Sequence, residues 1–372
     1  MRDLLVTSHT PVLRTGRAMR TYTIARALAA QDGLDLLYVR YEGDEPDEAF
    51  SSIPGVRMHA VVSSRGARRL GVFAAARLRG LPATVARSLS PELAAAAAEL
   101  GRGPGRARVI ADGPIVAETL AKLSRQRPVI YNAHNFESGF RNELNLPGTG
   151  TLRANRAFER RVLERASEAW MVSERDIEGA RELCPGVRLR LVPNVVDVAA
   201  IEPVAGSIEA RRVIFVASFA YEPNRTGLRF LLDEVLPLVW RELPDVRLSL
   251  VGGGLEHPPS EDPRVQALGF VDDLAAAYAS ATCAVVPLLQ GGGTPLKFIE
   301  ALAYGLPVIA TSRAAAGLDV VDGEHCLIAD RAADFAQALV GVLRDGAAEI
   351  AGRGRELAEQ RYSIQALQAA LH

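Results

Sequence analysis

Residues 283–312, CAVVPLLQGGGTPLKFIEALAYGLPVIATS, constrain the fold of this chain more than any other stretch. Residues 283–288 are apolar throughout and close at Pro287, which is the pattern of a short buried strand. Gly291, Gly292 and Gly293 form a loop. A helix follows, with its start and stop written in: Thr294 as N-cap, Pro295 at the first helical position, Gly305 as the stop and Pro307 just beyond. Residues 308–311 resume as a second buried strand. The stretch predicts a strand–glycine loop–helix–strand unit with a right-handed crossover.

Such a loop presents bare backbone N–H groups at the positive end of a helix, where a phosphate can sit. Lys297 is out of place for a helix alone, because a cation in the first turn opposes the helix dipole by about 0.3–1 kcal/mol. An anion in the loop reverses that sign. The only other lysine is Lys122, so a lysine among arginines points to a wanted point charge. Glu300 lies three residues on, on the same helix face, where a carboxylate can accept from sugar hydroxyls. The alternative is a solvated Lys–Glu pair beside a structural loop.

The segment GGGTPLKFIEALAYGLPVIAT resembles the donor-site signature of family-4 glycosyltransferases. PNVVD (193–197), VSERD (172–176), VASFAYEPNRTGLRFL, LGFVDDL (268–274) and AAAGLDVVDGEHCLIAD (314–330) match other parts of that family in order. The resemblance covers nearly the whole chain and is strongest over residues 172–330. It implies an α/β protein of the GT-B fold, with two Rossmann-like doubly wound domains facing a central cleft. The expected division is residues 1–197 for the acceptor, 198–211 as linker, 212–355 for the nucleotide sugar, and 356–372 as a helix crossing back.

Composition agrees. A chain of 372 residues with 48% hydrophobic residues suffices for two cores. A net charge of −1 gives no basic field of the kind a nucleic-acid binder needs. Cys184, Cys283 and Cys326 are an odd set without metal spacing, which suggests reduced thiols. No apolar run reaches membrane-spanning length, and the N-terminus carries no signal-peptide pattern. These features set the expectation of a cytoplasmic chain.

Along the chain, residues 4–8 predict the first strand and 18–30 a helix. Gly16 is not part of a full dinucleotide motif, which argues against a cofactor-binding start. By resemblance, Gly16 and Arg17 stand where the first loop meets the donor phosphates; otherwise they form an ordinary strand-to-helix turn. Residues 63–88 carry Arg65, Arg68, Arg69, Arg77, Arg79 and Arg87 and no acid, with Leu70, Val72, Phe73, Leu78 and Leu81 interleaved. This segment reads as a peripheral membrane contact, a site for an anionic acceptor, or a solvated arginine-rich face. His134 and Asn135 follow a short strand at 128–131, at the strand end where open sheets bind ligands. The family often has a histidine there that approaches the reacting sugar. Residues 139–151 predict a polar loop. In the second half, strands at 213–217 and 247–251 flank a helix at 227–243, and Gly252, Gly253 and Gly254 form a second glycine turn. The resemblance places backbone groups from Gly269 to Val271 against the nucleobase. Residues 332–345 and 348–371 read as helices.

Three positions depart from the family pattern. Gly292 replaces a Glu that contacts the donor sugar, Ser218 replaces an Arg that grips the diphosphate, and Pro295 stands where close relatives have Arg. The partner lysine of the Ser218 position falls in Asn224–Arg225–Thr226, with Arg225 the available cation. The implied activity is retaining transfer of a sugar from a nucleoside diphosphate sugar to an acceptor hydroxyl of a glycan, glycolipid or small molecule. No metal and no further cofactor is expected. The alternatives are a GT-B sugar-nucleotide epimerase and a non-catalytic homologue that binds a sugar nucleotide.

Overall fold

The structure, a computed structural model, describes residues 2–13, 15–41, 43–62, 67–102, 106–136, 152–204 and 210–371, the side chains of residues 67–69, 106, 107 and 152 excepted. The chain divides into two compact units, Met1–Asn194 with Leu367–His372, and Val195–Ala366.

The first unit is built on β1 (Arg2–Thr7), β2 (Leu34–Arg40), β3 (Val56–Val62), β4 (Arg106–Asp112), β5 (Ile130–Asn132), β6 (Glu168–Met171) and β7 (Leu189–Leu191). All pair in parallel, in the order β3-β2-β1-β4-β5-β6-β7. The second unit holds β8 (Arg212–Val216), β9 (Arg247–Val251), β10 (Val265–Gly269), β11 (Cys283–Val286), β12 (Val308–Ala310) and β13 (Leu327–Ile328). They are also parallel, in the order β10-β9-β8-β11-β12-β13.

Parallel strands need crossovers, and helices supply them on both faces, so the strands are apolar on both sides. In the second unit Phe215, Leu250, Val285 and Ile309 enter one core, while Ile214, Val251, Val286 and Ala310 enter the other. Neighbouring residues of a strand point to opposite faces, which is why each short apolar run serves two cores. The helix Leu296–Ala303 buries Phe298, Ile299 and Leu302 completely. Each such side chain contributes about 1.5–3 kcal/mol through burial.

Several expectations are corrected. The helix after the glycine loop begins at Leu296, with Pro295 rather than Thr294 at the N-cap; Tyr304 is the C-cap and Gly305 follows at φ +73°. The helix expected over 227–243 starts at Glu222 and is interrupted by a π-turn, Phe230–Val235. Pro237, which lacks an N–H to donate, lies in the first turn that resumes α geometry. The tail helix breaks at Tyr362 and Ser363 into Ala348–Arg361 and Ile364–Leu371. The last residues are tied to the first unit by Arg108 Nη1, which donates to the Leu371 carbonyl (2.9 Å), and Arg190 Nη1, which donates to Ala370 (3.2 Å). Of the expected linker, Val198 is buried in the second unit's core and the Val204 N–H donates to Tyr304, while residues 205–209 lie outside the described residues. The loop expected over 139–151 and residues 63–66, including Arg65, also lie outside them. Helices Ala67–Leu78 and Ala83–Ser88 carry the rest of the arginine-rich segment. Among the described residues no helix is long and apolar enough to cross a membrane.

Candidate functional site

Each sheet reverses its strand order once, between β1 and β4 in the first unit and between β8 and β11 in the second. Open parallel sheets bind ligands outside the carboxyl ends of the strands at such a reversal.

In the second unit the loops leaving β8 and β11 carry the predicted residues. Gly291 adopts φ +118° and Gly293 φ +72°, conformations that favour glycine. Asn224, buried on the helix Glu222–Arg229, is held in one orientation: its Nδ2 donates to the Ser218 carbonyl (2.7 Å), and its Oδ1 accepts from Lys297 Nζ. Lys297 Nζ also lies 5.3 Å from the centroid of the Phe215 ring. Burial pushes the ammonium down to about 7, although part of the residue's surface stays accessible. Glu300 accepts from the Tyr278 hydroxyl at Oε2 (3.2 Å), and Tyr278 stacks on Tyr304 with centroids 4.3 Å apart. Burial raises the Glu300 carboxyl to about 7, with the Tyr278 hydrogen bond opposing the rise.

Among the described residues Lys297 and Glu300 do not form an ion pair. An exposed pair would leave both groups near their ordinary values, and a tight buried pair would push them the other way. Here burial disfavours both charges without mutual compensation. Each is held instead by a neutral partner, Asn224 for Lys297 and Tyr278 for Glu300.

Arg225 is not brought to Lys297. Its guanidinium is held at the exposed surface by Glu222, at 2.8 Å through Nε and 2.5 Å through Nη2. This corrects its expected place beside the diphosphate. Ser218 is exposed at the end of β8, with its carbonyl used by Asn224. Thr294 is buried, Gly292 exposed and Pro295 half-buried. Gly269 closes β10 at φ +67° and its carbonyl accepts from Gly252 N–H (2.7 Å); Val271 follows, half-buried, after Phe270, which is 81% exposed. The second glycine turn is a close approach. A Cβ on Gly252 would lie 2.0 Å from the Ala217 carbonyl oxygen, and one on Gly254 2.2 Å from the Ala220 nitrogen.

The first unit places His134 at the carboxyl edge of its sheet. His134 Nε2 hydrogen-bonds Asp112 Oδ1 at 2.7 Å, Asn132 Nδ2 donates to the same oxygen (2.8 Å), and Thr21 Oγ1 donates to Oδ2 (2.7 Å). Gly113, at φ +90°, lets the chain turn under the imidazole. Arg20, itself buried, fixes Asn132 through Nη2 (2.7 Å) and reaches Asn194 Oδ1 through Nη1 (3.1 Å). Burial alone would raise the Asp112 carboxyl. It is outweighed by His134, with His9 and Thr21 adding, and the group is held well below the carboxylate range. His134 Nδ1 is buried with no hydrogen-bond partner among the described residues. Gly16 and Arg17 form the first turn of the helix Gly16–Asp32, whose N-cap Thr15 accepts from the Ala18 N–H.

His9 was not expected from the sequence. Its Nδ1 hydrogen-bonds Thr7 Oγ1 at 2.8 Å, and desolvation lowers its pKa to about 4, with Asp112 opposing. A histidine that folds neutral stabilises the protein fully above its ordinary 6.5, and that contribution is lost as pH falls toward 4. His9→Gln is therefore expected to flatten the loss of melting temperature between pH 6.5 and 4 relative to wild type. Parallel curves would show that His9 is solvated. His9, Asp112 and Tyr278 escaped sequence reading, and Asn224 was placed in the right segment without its role. Of the first three, only Asp112, last in its apolar strand, carried a local signal.

Among the described residues no group of three or more His, Cys, Asp or Glu side chains is placed to hold a metal ion.

Known proteins share this architecture. Sucrose-phosphate synthase from Thermosynechococcus elongatus superposes with a TM-score of 0.74 at 19% identity, over 100% of this chain and 97% of that one. The fold is GT-B. Anabaena Alr3699/HepE, solved in complex with UDP and glucose, superposes at 0.69 with 16% identity, over 100% and 98% of the two chains. Residues 210–345, most of the second unit, match the family Glycosyl transferases group 1. The phosphatidyl-myo-inositol mannosyltransferase of Mycolicibacterium smegmatis is 34% identical over 167 residues, 41% of this chain. That match spans 42% of the relative's length.

Proposed function

We propose that this chain is a family-4 glycosyltransferase that moves a sugar, a hexose in the first instance, from a nucleoside diphosphate to an acceptor hydroxyl with retention of configuration. One observation carries the reading. At the strand-order reversal of the second sheet, the half-buried Lys297 is held by Asn224, and the glycine loop lies against Pro223 and Tyr221 of the same segment. As the bond from the anomeric carbon to the diphosphate breaks, negative charge grows on the leaving oxygen. The loop amides of residues 291–294 and Lys297 stabilise it, a preorganised electrostatic term. The acceptor oxygen bonds to the same face of the anomeric carbon, and its proton passes to the departing phosphate. Glu300 accepts from the ribose hydroxyls. The reading needs no metal and no cofactor beyond the donor. It assigns the acceptor to the first unit, at the edge formed by Asp112 and His134.

The group 1 match over residues 210–345 and the UDP complex of a structural neighbour support a nucleotide-sugar donor. Cytoplasmic placement with peripheral contact to an anionic membrane surface belongs to the same proposal. It is supported by Leu70 and Leu78, 71% and 90% exposed, on the Ala67–Leu78 helix that also bears Arg77.

A thermal-shift screen of UDP, GDP, dTDP and ADP sugars identifies the donor, and NMR of the product reads its anomeric configuration. An inverted product removes the retaining mechanism, and epimerised donor without transfer favours an epimerase. Glu300→Gln is expected to weaken binding of the plain nucleoside and the diphosphate alike by about 1 kcal/mol, because an amide keeps one acceptor and loses the charge. Unchanged nucleoside affinity by calorimetry would place the ribose elsewhere.

A further inference from the structure

The loops leaving β8, β11 and β12 converge on Gly291. A Cβ built there would lie 3.7 Å from Pro223 and 3.8 Å from the Tyr221 hydroxyl, both after β8. From the β12 side comes Arg313, whose Nη2 donates to the Gly291 carbonyl. Arg313 sits on the one-turn helix Ser312–Ala315, capped by Thr311, whose Oγ1 in turn donates to the Leu288 carbonyl (2.5 Å). The β12 loop thus grips the glycine loop at both Leu288 and Gly291.

Peptide geometry gives this grip a consequence. No peptide bond among the described residues is cis, so the Gly291–Gly292 unit is planar and trans, and its C=O and N–H point in opposite directions. With the Gly291 oxygen drawn to the guanidinium, the Gly292 N–H is sent the other way, and Gly292 is exposed. Backbone amides turned outward in a loop with left-handed glycines form an anion-binding concavity. Arg313 also brings a positive charge to that concavity from beneath, and burial lowers its pKa from the ordinary arginine value.

We propose that Arg313 is a positioning residue for the diphosphate: it locks the Gly291 carbonyl inward so that the Gly292 amide faces the ligand, and it adds its charge to that of Lys297. The proposal rests on the diphosphate reading of this site. Its test is calorimetry on the full chain with UDP, GDP and inorganic pyrophosphate, with uridine and guanosine as phosphate-free controls. Arg313→Gln keeps a donor but loses the charge and the fork. It is expected to weaken the diphosphate ligands about tenfold while leaving the nucleosides and the melting temperature unchanged. Arg313→Lys should fall between the two, with a loss of about threefold, because a point charge replaces a planar fork. Unchanged diphosphate affinity in Arg313→Gln, or an equal loss for nucleoside and diphosphate, overturns the proposal. If Arg313→Gln does not fold, Arg313→Lys decides by the same two criteria. A wild-type protein that binds no diphosphate and no pyrophosphate removes the underlying reading itself, whichever way the variants behave.

Discussion

Lys297→Met is expected to weaken nucleoside diphosphate binding by about 1.5–3 kcal/mol, the range for hydrogen bonds to a charged group, or roughly 10- to 150-fold. Methionine is unbranched and close to lysine in length, so it can fill the space that ends at the Phe215 ring, folding should survive and the loss should report the charge. The plain nucleoside should bind the variant as it binds the wild type, because the ammonium meets phosphate and not ribose. The pH dependence makes the expectation sharper. Burial holds the free ammonium at about 7, so above that pH the ligand-free protein carries a neutral amine. A bound diphosphate stabilises the protonated form and raises that value, so binding takes up a proton. Affinity should therefore fall as pH rises from 7 to 9, by up to about tenfold per unit. Calorimetry in buffers of different ionisation heat measures the uptake directly. Wild-type binding without proton uptake, or a Met variant with the same pH slope, would take Lys297 out of the diphosphate site.

Asp112→Ala is expected to destabilise the first unit by about 3–5 kcal/mol, the cost of removing one partner from a buried, hydrogen-bonded charge cluster. The substitution strands His134 Nε2, Asn132 Nδ2 and Thr21 Oγ1 together. For a unit of this size the melting transition should drop by roughly 6–20 °C. Asp112→Asn should cost less, because its oxygen can still accept, yet its amide cannot satisfy all three donors. The sign with pH follows from the depressed carboxyl. The stabilisation is complete above the ordinary carboxylate value of 3.8 and is lost as pH falls from there toward the much lower folded value. Wild type and Asp112→Ala should therefore converge in stability in strong acid. Hydrogen exchange at the amides of β4 and β5 follows the effect locally. A loss below about 1 kcal/mol would mean that water already satisfies these groups.

Local order was legible wherever chemistry and sequence distance coincide. The strands on either side of the glycine loop, and the stop at Gly305, follow from apolar runs punctuated by glycine and proline, since backbone propensity acts over a few residues. Even there the helix start shifted by one residue. Whether Thr294 or Pro295 occupies the N-cap depends on the path of the loop, and Thr294 is buried rather than turned to cap the helix.

The partners of the site residues were beyond the sequence. Lys297 and Glu300 share a helix face, which left open a mutual pair as the alternative to an anion for the lysine and sugar hydroxyls for the glutamate. The sheet order instead brings Asn224, 73 residues away, to the lysine and Tyr278 to the glutamate. Arg225, next in the chain to Asn224, looked like the cation of the pair, but its position on the helix Glu222–Arg229 turns it to Glu222. The cation that does reach the loop, Arg313, comes from the next strand over. Periodicity and punctuation specify which residues form strands and helices, because those choices are short-range. Which side chains meet at the carboxyl edge is set by the order of parallel strands. That order is decided by how long apolar segments pack together, and no local pattern encodes it.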